Sequence, residues 1–337
     1  MFYVASTEFK SWQQALATAI TDPNVLWQLL QLPADQLPAA ERAVATFRLK
    51  VTHSYCARMK RGDWHDPLLR QVLPLGEELA QVDGYHADPL AEQSFHSIMP
   101  QSTGILQKYA KRVLLISTGT CAVHCRYCFR RHFPYHQAQL NAPLWENALT
   151  ILRDNTQIEE VILSGGDPLI LSDNKLRQWM EQLAHIPHLK RVRFHTRLPI
   201  VLPLRINAAL LDWISQTRLT VIMVIHANHA NEFNSEVYEK LADLRMAKVQ
   251  LLNQAVLLRG VNDQLQAQVE LSEALIAGGV LPYYLHLLDK VSGAAHFDVP
   301  KAQALQLHRQ LQSQLSGYLV PKLVEEIPGQ PAKTWVF

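Results

Sequence analysis

Three cysteines, Cys121, Cys125 and Cys128, fall within eight residues of one another. Their spacing, C-x3-C-x2-C, places three thiols on one short loop, where three thiolates can bind three irons of a four-iron cluster. Such clusters normally take four cysteines, so a missing fourth ligand leaves one iron open to a substrate. The alternative is a structural zinc site with His124 or His132 as the fourth ligand. The spacing favours the cluster, because zinc sites of this class usually come as two ligand pairs and the sequence has no second pair.

The remaining cysteine, Cys56, lies far from the other three and is predicted to be a small buried residue. Four cysteines in 337 residues do not make a disulfide scaffold. The first residues lack a basic stretch followed by an apolar one, so no secretory signal is expected. No segment approaches the roughly 18 apolar residues of a membrane span. The sequence therefore predicts a cytoplasmic protein with no membrane partner.

Composition excludes further classes of protein. Hydrophobic residues make up 48% of the chain, enough for a large core and too many for a disordered chain. The 32 Lys and Arg nearly balance the 30 Asp and Glu, giving a net charge of +2. A nucleic-acid partner is therefore not expected. The length suits either two domains or one α/β barrel with an appendage, at about 150 residues per domain.

The elements that must position the cysteine loop (118–131) alternate regularly after residue 104. The predicted strands are 112–117, 160–163, 191–195, 220–226, 249–253 and 282–288. The predicted helices are 143–154, 173–185, 206–216, 234–246, 264–277 and 300–316. Six strand–helix units in series predict a parallel sheet that forms an open or partial barrel. The cysteine loop follows the first strand, at the edge where such sheets carry their chemistry.

The first hundred residues have a helical pattern instead. The predicted helices are 8–20, 22–32 and 38–50, the second of them capped by Asp22 before Pro23. Residues 83–103 include Gly84, Pro89 and Pro100 and are predicted to form a linker. The predicted organisation is a helical region over 1–100, a strand–helix core over 101–317 and a C-terminal segment over 318–337.

Other polar motifs are ambiguous on their residues alone. Segment 164–167, Ser-Gly-Gly-Asp, is typical of a tight turn after a strand, although two glycines also let a backbone approach a ligand closely. His226 and Gln254 end the fourth and fifth predicted strands, where histidines are usually structural. Lys333 lies near the C-terminus and resembles a solvated lysine. The charged run 108–112 precedes the first predicted strand.

Several motifs together resemble a known family. The cysteine loop after the first strand of a six-unit barrel is similar to that of the radical S-adenosylmethionine (SAM) enzymes, and Cys-Arg-Tyr-Cys-Phe-Arg-Arg resembles their lysine 2,3-aminomutase branch. Segments 163–169, 252–263 and 282–289 extend the resemblance in collinear order over nearly the whole chain. The implied fold is α/β, a partial (β/α)6 TIM-like barrel of the radical SAM type with an N-terminal helical region.

The resemblance also implies three cofactors and residues for each. A [4Fe-4S] cluster would be bound by the three cysteines of the loop. The residues implied for SAM are Gly165, Gly166, Asp167, His226 and Gln254. Lys333 matches the lysine that carries pyridoxal phosphate (PLP), and the residues implied for the phosphate and ring are Lys108, Tyr109 and Arg112. The family usually continues Lys-Thr-Pro, whereas this chain has Trp335 after Lys333 and Thr334.

The implied reaction is the conversion of L-lysine to β-lysine. Arg130 matches the arginine that binds the substrate carboxylate, because a guanidinium pairs with both carboxylate oxygens. Asp289 and Glu326 match two acids for the distal ammonium. The family has an aspartate where this chain has Glu326, so the charge is kept and the reach is longer by one methylene.

The resemblance reaches furthest to a bacterial branch whose product, (R)-β-lysine, is attached to elongation factor P by a separate ligase. It implies an electron donor such as flavodoxin. The alternatives are a glutamate 2,3-aminomutase, a radical SAM methyltransferase and a non-enzymatic zinc-binding module. The two acids, Asp289 and Glu326, oppose a glutamate substrate, because they suit a cationic side chain.

Overall fold

The computed structural model describes residues 9–92, 104–138 and 140–337. Its centre is one nine-stranded sheet whose strands follow one another in chain order. The strands are β1 (Ile105–Tyr109), β2 (Arg112–Thr118), β3 (Glu160–Gly165), β4 (Arg191–Thr196), β5 (Thr220–Ile225), β6 (Gln250–Val256), β7 (Leu281–His286), β8 (Lys322–Glu325) and β9 (Thr334–Trp335).

Strands β2 to β8 are all parallel, and β1 and β9 pair antiparallel with the strands at the two ends. Parallel strands need long crossovers, and helices carry these between β2 and β8. This arrangement confirms the predicted partial barrel with its N-terminal helical region. Each of the six predicted strands overlaps one strand from β2 to β7. The sequence did not predict β1, β8 or β9. Because β8 is parallel to β7, the parallel part of the sheet has seven strands rather than the six predicted.

The crossover helices overlap all six that the sequence predicted. They span Ala142–Asp154, Asp173–Ala184, Ala208–Gln216, Ser235–Met246, Leu265–Ala277 and Lys301–Gln314. Side chains that accept a hydrogen bond from a first-turn amide begin four of them, at Asn141, Ser172, Asn207 and Asn234. One face of each helix is buried against the sheet. The caps and the apolar faces together explain why these helices form where the spacing predicts them.

The N-terminal region is helical, but its helices are shorter than predicted. They span Trp12–Ala17, Pro23–Leu30, Leu37–Thr46, His53–Cys56 and Pro67–Arg70, with a further short helix at Tyr135–Ala138 in the barrel part. Asp22 caps the second helix as expected, accepting from the Asn24 amide at 2.8 Å. Cys56 is buried, as predicted, with 1% of its surface exposed. The apolar side chains of this region join the same core as the barrel.

Part of the predicted linker over 83–103 lies outside the described residues. Within the described part of the chain, no helix combines the length and the apolar character that crossing a bilayer requires.

The C-terminal tail is part of the sheet. Strand β8 pairs parallel with β7, and Glu325 at its end pairs with Thr334 of β9. Lys333 therefore lies beyond the carboxyl end of a barrel strand. Strands of four and two residues are too short to show an alternating pattern in the sequence.

Candidate active site

A cavity of about 320 Å³ opens at the carboxyl ends of the barrel strands. All the site residues implied by the resemblance line this cavity except Asp289. The cysteine loop lies on one side and Lys333 on another. The fold thus brings together residues that are up to 225 positions apart in the sequence, from Lys108 to Lys333.

The three cysteines of the loop are free thiols that line the cavity. Burial and the neighbouring thiols raise the pKa of Cys121, and burial and Cys125 raise the pKa of Cys128 to about 11. The protein alone therefore opposes the thiolate form of Cys121 and Cys128, and cationic irons would stabilise it. Among the described side chains, no group of three or more His, Cys, Asp or Glu could hold a metal ion. A four-iron cluster differs, because each thiolate binds a separate iron. The donor set fits such a cluster.

Both histidines considered as zinc ligands contact backbone carbonyls. Nδ1 of His124 lies 2.8 Å from the carbonyl oxygen of Arg48, and its ring stacks on Phe47. Nε2 of His132 lies 3.2 Å from the carbonyl oxygen of Ser292. Each of these contacts ties the cysteine loop to another part of the fold.

Gly165 and Gly166 allow the end of β3 to touch the cysteine loop. A Cβ on Gly165 would lie 2.7 Å from the carbonyl oxygen of Thr118, and Gly165 also has a φ of +108°. A Cβ on Gly166 would lie 2.4 Å from the carbonyl oxygen of Thr120. These contacts leave no room for a side chain, which explains why both positions are glycine. Both residues still line the cavity, as a SAM-binding role requires.

Asp167 joins the end of β3 to the end of β4. Its carboxylate accepts from the Thr196 hydroxyl at 2.7 Å and from the Arg197 and Leu198 amides at 2.7 and 3.2 Å. Burial raises its pKa despite these hydrogen bonds. The protein supplies partners to both carboxylate oxygens, so the geometry gives Asp167 a positioning role.

Three histidines face the cavity from different strands: His195 on β4, His226 after β5 and His286 on β7. Nε2 of His226 lies 3.0 Å from Nε2 of Gln254, which brings that predicted pair together. Burial lowers the pKa of all three rings, that of His226 to about 3. They are therefore neutral at physiological pH. Nε2 of His195 and of His286 is buried and has no hydrogen-bond partner among the described residues.

His195, His286 and Arg193 were missed by the sequence reasoning. A usable signal existed in β4, where Arg191, Arg193 and His195 alternate with buried apolar residues. Strands of a parallel sheet covered on both faces are normally apolar throughout. Polar residues on one face of such a strand therefore indicate the lining of a polar cavity.

Two arginines carry unpartnered donors beside this cavity. The guanidinium of Arg112 stacks on the Tyr109 ring, 3.5 Å from its centre. Arg193 pairs with Glu160 through one Nη atom. Nε of both arginines is buried without a partner among the described side chains. Two guanidinium donors of this kind fit a phosphate dianion, the group that PLP would bring.

Glu326 bridges two lysines that line the cavity. Its carboxylate oxygens lie 2.6 Å from Nζ of Lys108 and 2.6 Å from Nζ of Lys333. Burial opposes ionisation of Glu326, but Lys333 and Lys108 outweigh it and lower the pKa of this carboxyl. Nζ of Lys333 also lies 5.7 Å from the centre of the Tyr284 ring. Lys108 therefore contacts the acid implied for the substrate rather than a free phosphate site.

Asp289 and Arg130 complete the charged set. Burial raises the pKa of Asp289 to about 7, against the opposing effect of Lys333 and with the help of Glu326. Arg130 is buried and donates to both carboxylate oxygens of Glu92, each at 2.7 Å. Its remaining Nη lies 3.3 Å from the Ser164 hydroxyl. The cavity thus has a guanidinium beside the cysteine loop and the Glu326 carboxylate beside Lys333, while Asp289 lies outside the lining but responds to the charges of Lys333 and Glu326.

The chain has similar proteins of known function. It is 48% identical to the L-lysine 2,3-aminomutase of Escherichia coli strain K12, over 96% of this chain and 94% of that one. It is 44% identical to the L-lysine 2,3-aminomutase of Haemophilus influenzae, over 97% and 96%. Among solved structures, Streptococcus suis SuiB aligns with a TM-score of 0.48 and 14% identity, over 69% of this chain and 53% of that chain. No family model matches the chain.

Proposed function

The chain belongs to the lysine 2,3-aminomutase family, and we propose that it converts L-lysine to β-lysine at the cavity described above. The relatives are isomerases, which confirms the enzyme class that the resemblance implied. Enzymes of this family use a [4Fe-4S] cluster, SAM and PLP, and we infer that this chain uses all three.

The observation that carries the proposal is the charge arrangement around Lys333. L-Lysine has a carboxylate at one end and an ammonium at the other. Arg130 is bound to Glu92 through two of its donors, and the Nη atom near the Ser164 hydroxyl is the one left for a substrate carboxylate. Glu326 lines the cavity and Asp289 lies outside its lining, and Lys333 favours the ionisation of both carboxyls. A glutamate substrate would bring its distal carboxylate to the same two acids and be repelled. The arrangement therefore favours lysine over glutamate.

The residues divide the work between binding and positioning. Lys333 would hold PLP, with Arg112 and Arg193 beside its phosphate, and the three cysteines would hold the cluster. These cofactors supply the radical that removes a substrate hydrogen and the π system that delocalises the unpaired electron. Glu326 holds Lys333 and Lys108 in place, and Asp289 and Arg130 fix the two ends of the substrate. The neutral rings of His195, His226 and His286 can accept or donate hydrogen bonds without adding charge to the cavity.

We propose that the product is (R)-β-lysine, made in the cytoplasm from free lysine for a ligase that modifies elongation factor P. An electron donor such as flavodoxin would reduce the cluster. The support for these points is the resemblance to the branch described above.

An anaerobic turnover assay tests the function directly. Iron- and sulfide-reconstituted protein receives ¹³C-labelled L-lysine, SAM, PLP and dithionite, and the carbon spectrum is followed by NMR. We expect β-lysine, its loss in Lys333→Ala, and its retention in Lys322→Ala, which removes an exposed lysine from the neighbouring strand β8. Cleavage of SAM without β-lysine would keep the family and overturn the substrate.

A further inference from the structure

The N-terminal region contacts the cysteine loop through a buried acid. The guanidinium of Arg126 donates to both carboxylate oxygens of Glu78, at 2.7 and 2.6 Å. Arg131 donates to the same carboxylate at 2.7 Å. All three side chains are at most 1% exposed. Two arginines flanking the last two cysteines are therefore fixed on one residue of the helical region.

A second contact reaches one of the cysteines itself. One Nη atom of Arg197 lies 2.8 Å from Sγ of Cys125 and 3.0 Å from the Tyr127 hydroxyl. The other Nη donates to the carboxylate of Glu232 at 3.0 Å, in an ion pair whose members are both buried. The Arg197 amide is held in turn by Asp167, at 2.7 Å. The guanidinium is thereby fixed at the sulfur from the barrel side.

The helical region supplies the remaining contacts of that guanidinium. The Nη atom that meets Glu232 also lies 3.0 Å from the Tyr55 hydroxyl and 2.6 Å from Oε1 of Gln71. Nε2 of Gln71 then donates to Glu232 at 3.1 Å. Tyr55, Gln71 and Glu232 are fully buried. The contacts of both Nη atoms hold one orientation of Arg197, although its buried Nε has no partner among the described residues.

We propose that Arg197 is a positioning residue that raises the reduction potential of the cluster, and that Glu232 holds it at the Cys125 sulfur. A guanidinium is permanently charged. Hydrogen bonds to the ligand sulfurs and the local charge set the potential of a cluster. A cation beside Cys125 stabilises the reduced cluster, which carries one more electron, and the charge of Glu232 offsets part of that effect. The inference depends on the cluster assigned under the proposed function, but its test needs no lysine.

Substitution of the two members of the ion pair is expected to shift the midpoint potential of the cluster in opposite directions. In Arg197→Gln the reduced cluster loses its nearby cation, so the midpoint potential falls. In Glu232→Gln the cation stays and its counter-charge is removed, so the potential rises. At a fixed solution potential we expect the ratio of reduced to oxidised cluster to change about tenfold in each direction, equivalent to about 59 mV for a one-electron couple.

The measurement is an anaerobic redox titration of the reconstituted protein with dithionite, followed by electron paramagnetic resonance, with iron content determined in parallel. Arg218→Gln is the matched control, because Arg218 is held by the backbone carbonyls of Ala184, Ile186 and Leu189 before β5, at the other end of the barrel. We expect its potential to equal that of the unmodified chain. In Arg197→Lys, which keeps the charge and loses the planar fork, we expect a smaller fall than in Arg197→Gln.

Three outcomes overturn the inference: unchanged potentials in both charge variants, shifts of the same sign, or a shift in the control as large as theirs. Should Arg197→Gln hold no iron, Glu232→Gln decides, and the absence of an upward shift rejects the role of Arg197. Because no substrate is present, a chain that shifts as expected and makes no β-lysine supports this inference while contradicting the proposed substrate.

Discussion

The two sides of the cavity, the cysteine loop and the segment around Lys333, differ in how their charged groups are paired. At the cysteine loop, two buried arginines, Arg126 and Arg197, each donate to a buried carboxylate. Around Lys333, the single carboxylate of Glu326 is shared by two lysines, and all three side chains are partly exposed. Among the described residues, buried Nε donors without a partner occur at Arg197 as well as at Arg112, so they do not distinguish the two sides.

The two sides also differ in what supports them. The cysteine loop is backed by the N-terminal region and contacts the end of β3 without space for an extra methyl group. Lys333 lies between β8 and β9, on a tail held by strands of four and two residues, and its side chain is 25% exposed. A rigid support suits a cluster that must keep its position, and a looser one suits a lysine that must exchange its partner for the substrate.

Gly166→Ala is the strongest test of the rigid side, which is the cysteine loop and its contact with β3. Its Cβ would lie 2.4 Å from the Thr120 carbonyl, so the cysteine loop must move away from β3. We expect iron bound after reconstitution to fall at least about tenfold and the melting temperature to drop, as overpacking against backbone predicts. Gly317→Ala is the control, because nothing lies within 4 Å of its added Cβ. Full iron content in Gly166→Ala would show that the cysteine loop can move away from β3 and still bind the cluster.

Glu326→Gln tests the side around Lys333 and is expected to impair catalysis while leaving the fold and the cluster intact. Removing the charge leaves Lys108 and Lys333 without the acid that pairs with both. We expect kcat/KM for lysine to fall about 10- to 100-fold, since one partner of a partly buried charge set is lost. Glu325→Gln is the matched control, because Glu325 pairs with the exposed Lys301 outside the cavity. Iron content should stay unchanged in both variants, and a loss of iron in Glu326→Gln would contradict the separation of the two sides.

The sequence predicted the rigid side better than the other one. Strands β2 to β7 and their helices follow hydrophobic periodicity, which is a local signal, and the cysteines follow from spacing alone. The partners of Arg197 could not be predicted in this way. Tyr55 and Gln71 lie more than 100 positions away and are placed only by tertiary packing.

The Lys333 side shows why some roles were predicted only through resemblance. Lys333 by itself looks like a lysine in an exposed tail, because the short strand β8 that carries Glu326 to it has no periodic pattern. Gly165 and Gly166 illustrate the opposite case. Resemblance assigned them to a ligand, and the structure gives them a second reason, which is contact with the backbone of the cysteine loop.

The pH dependence of lysine binding gives the smallest expected effect. The pKa of Asp289 is raised to about 7 by burial, so the carboxyl loses its charge as the pH falls through 7. We expect kcat/KM for lysine to fall about fivefold between pH 7 and pH 6, since about half of the groups are ionised at the pKa and about a tenth one pH unit below it. The same raised pKa favours the folded chain while the carboxyl is protonated, and this contribution is lost as the pH rises to 7.

Asp289→Asn separates this effect from other titrations in the cavity. The variant keeps the shape of the side chain and removes its charge, so its kcat/KM should be low and flat between pH 6 and 7. Glu326 has a lowered pKa and stays ionised over that range, and the three cavity histidines stay neutral because burial lowers their pKa. A pH dependence that persists in Asp289→Asn would place the titrating group elsewhere. It would also remove Asp289 from the pair of acids that distinguishes this side of the cavity from the cysteine side.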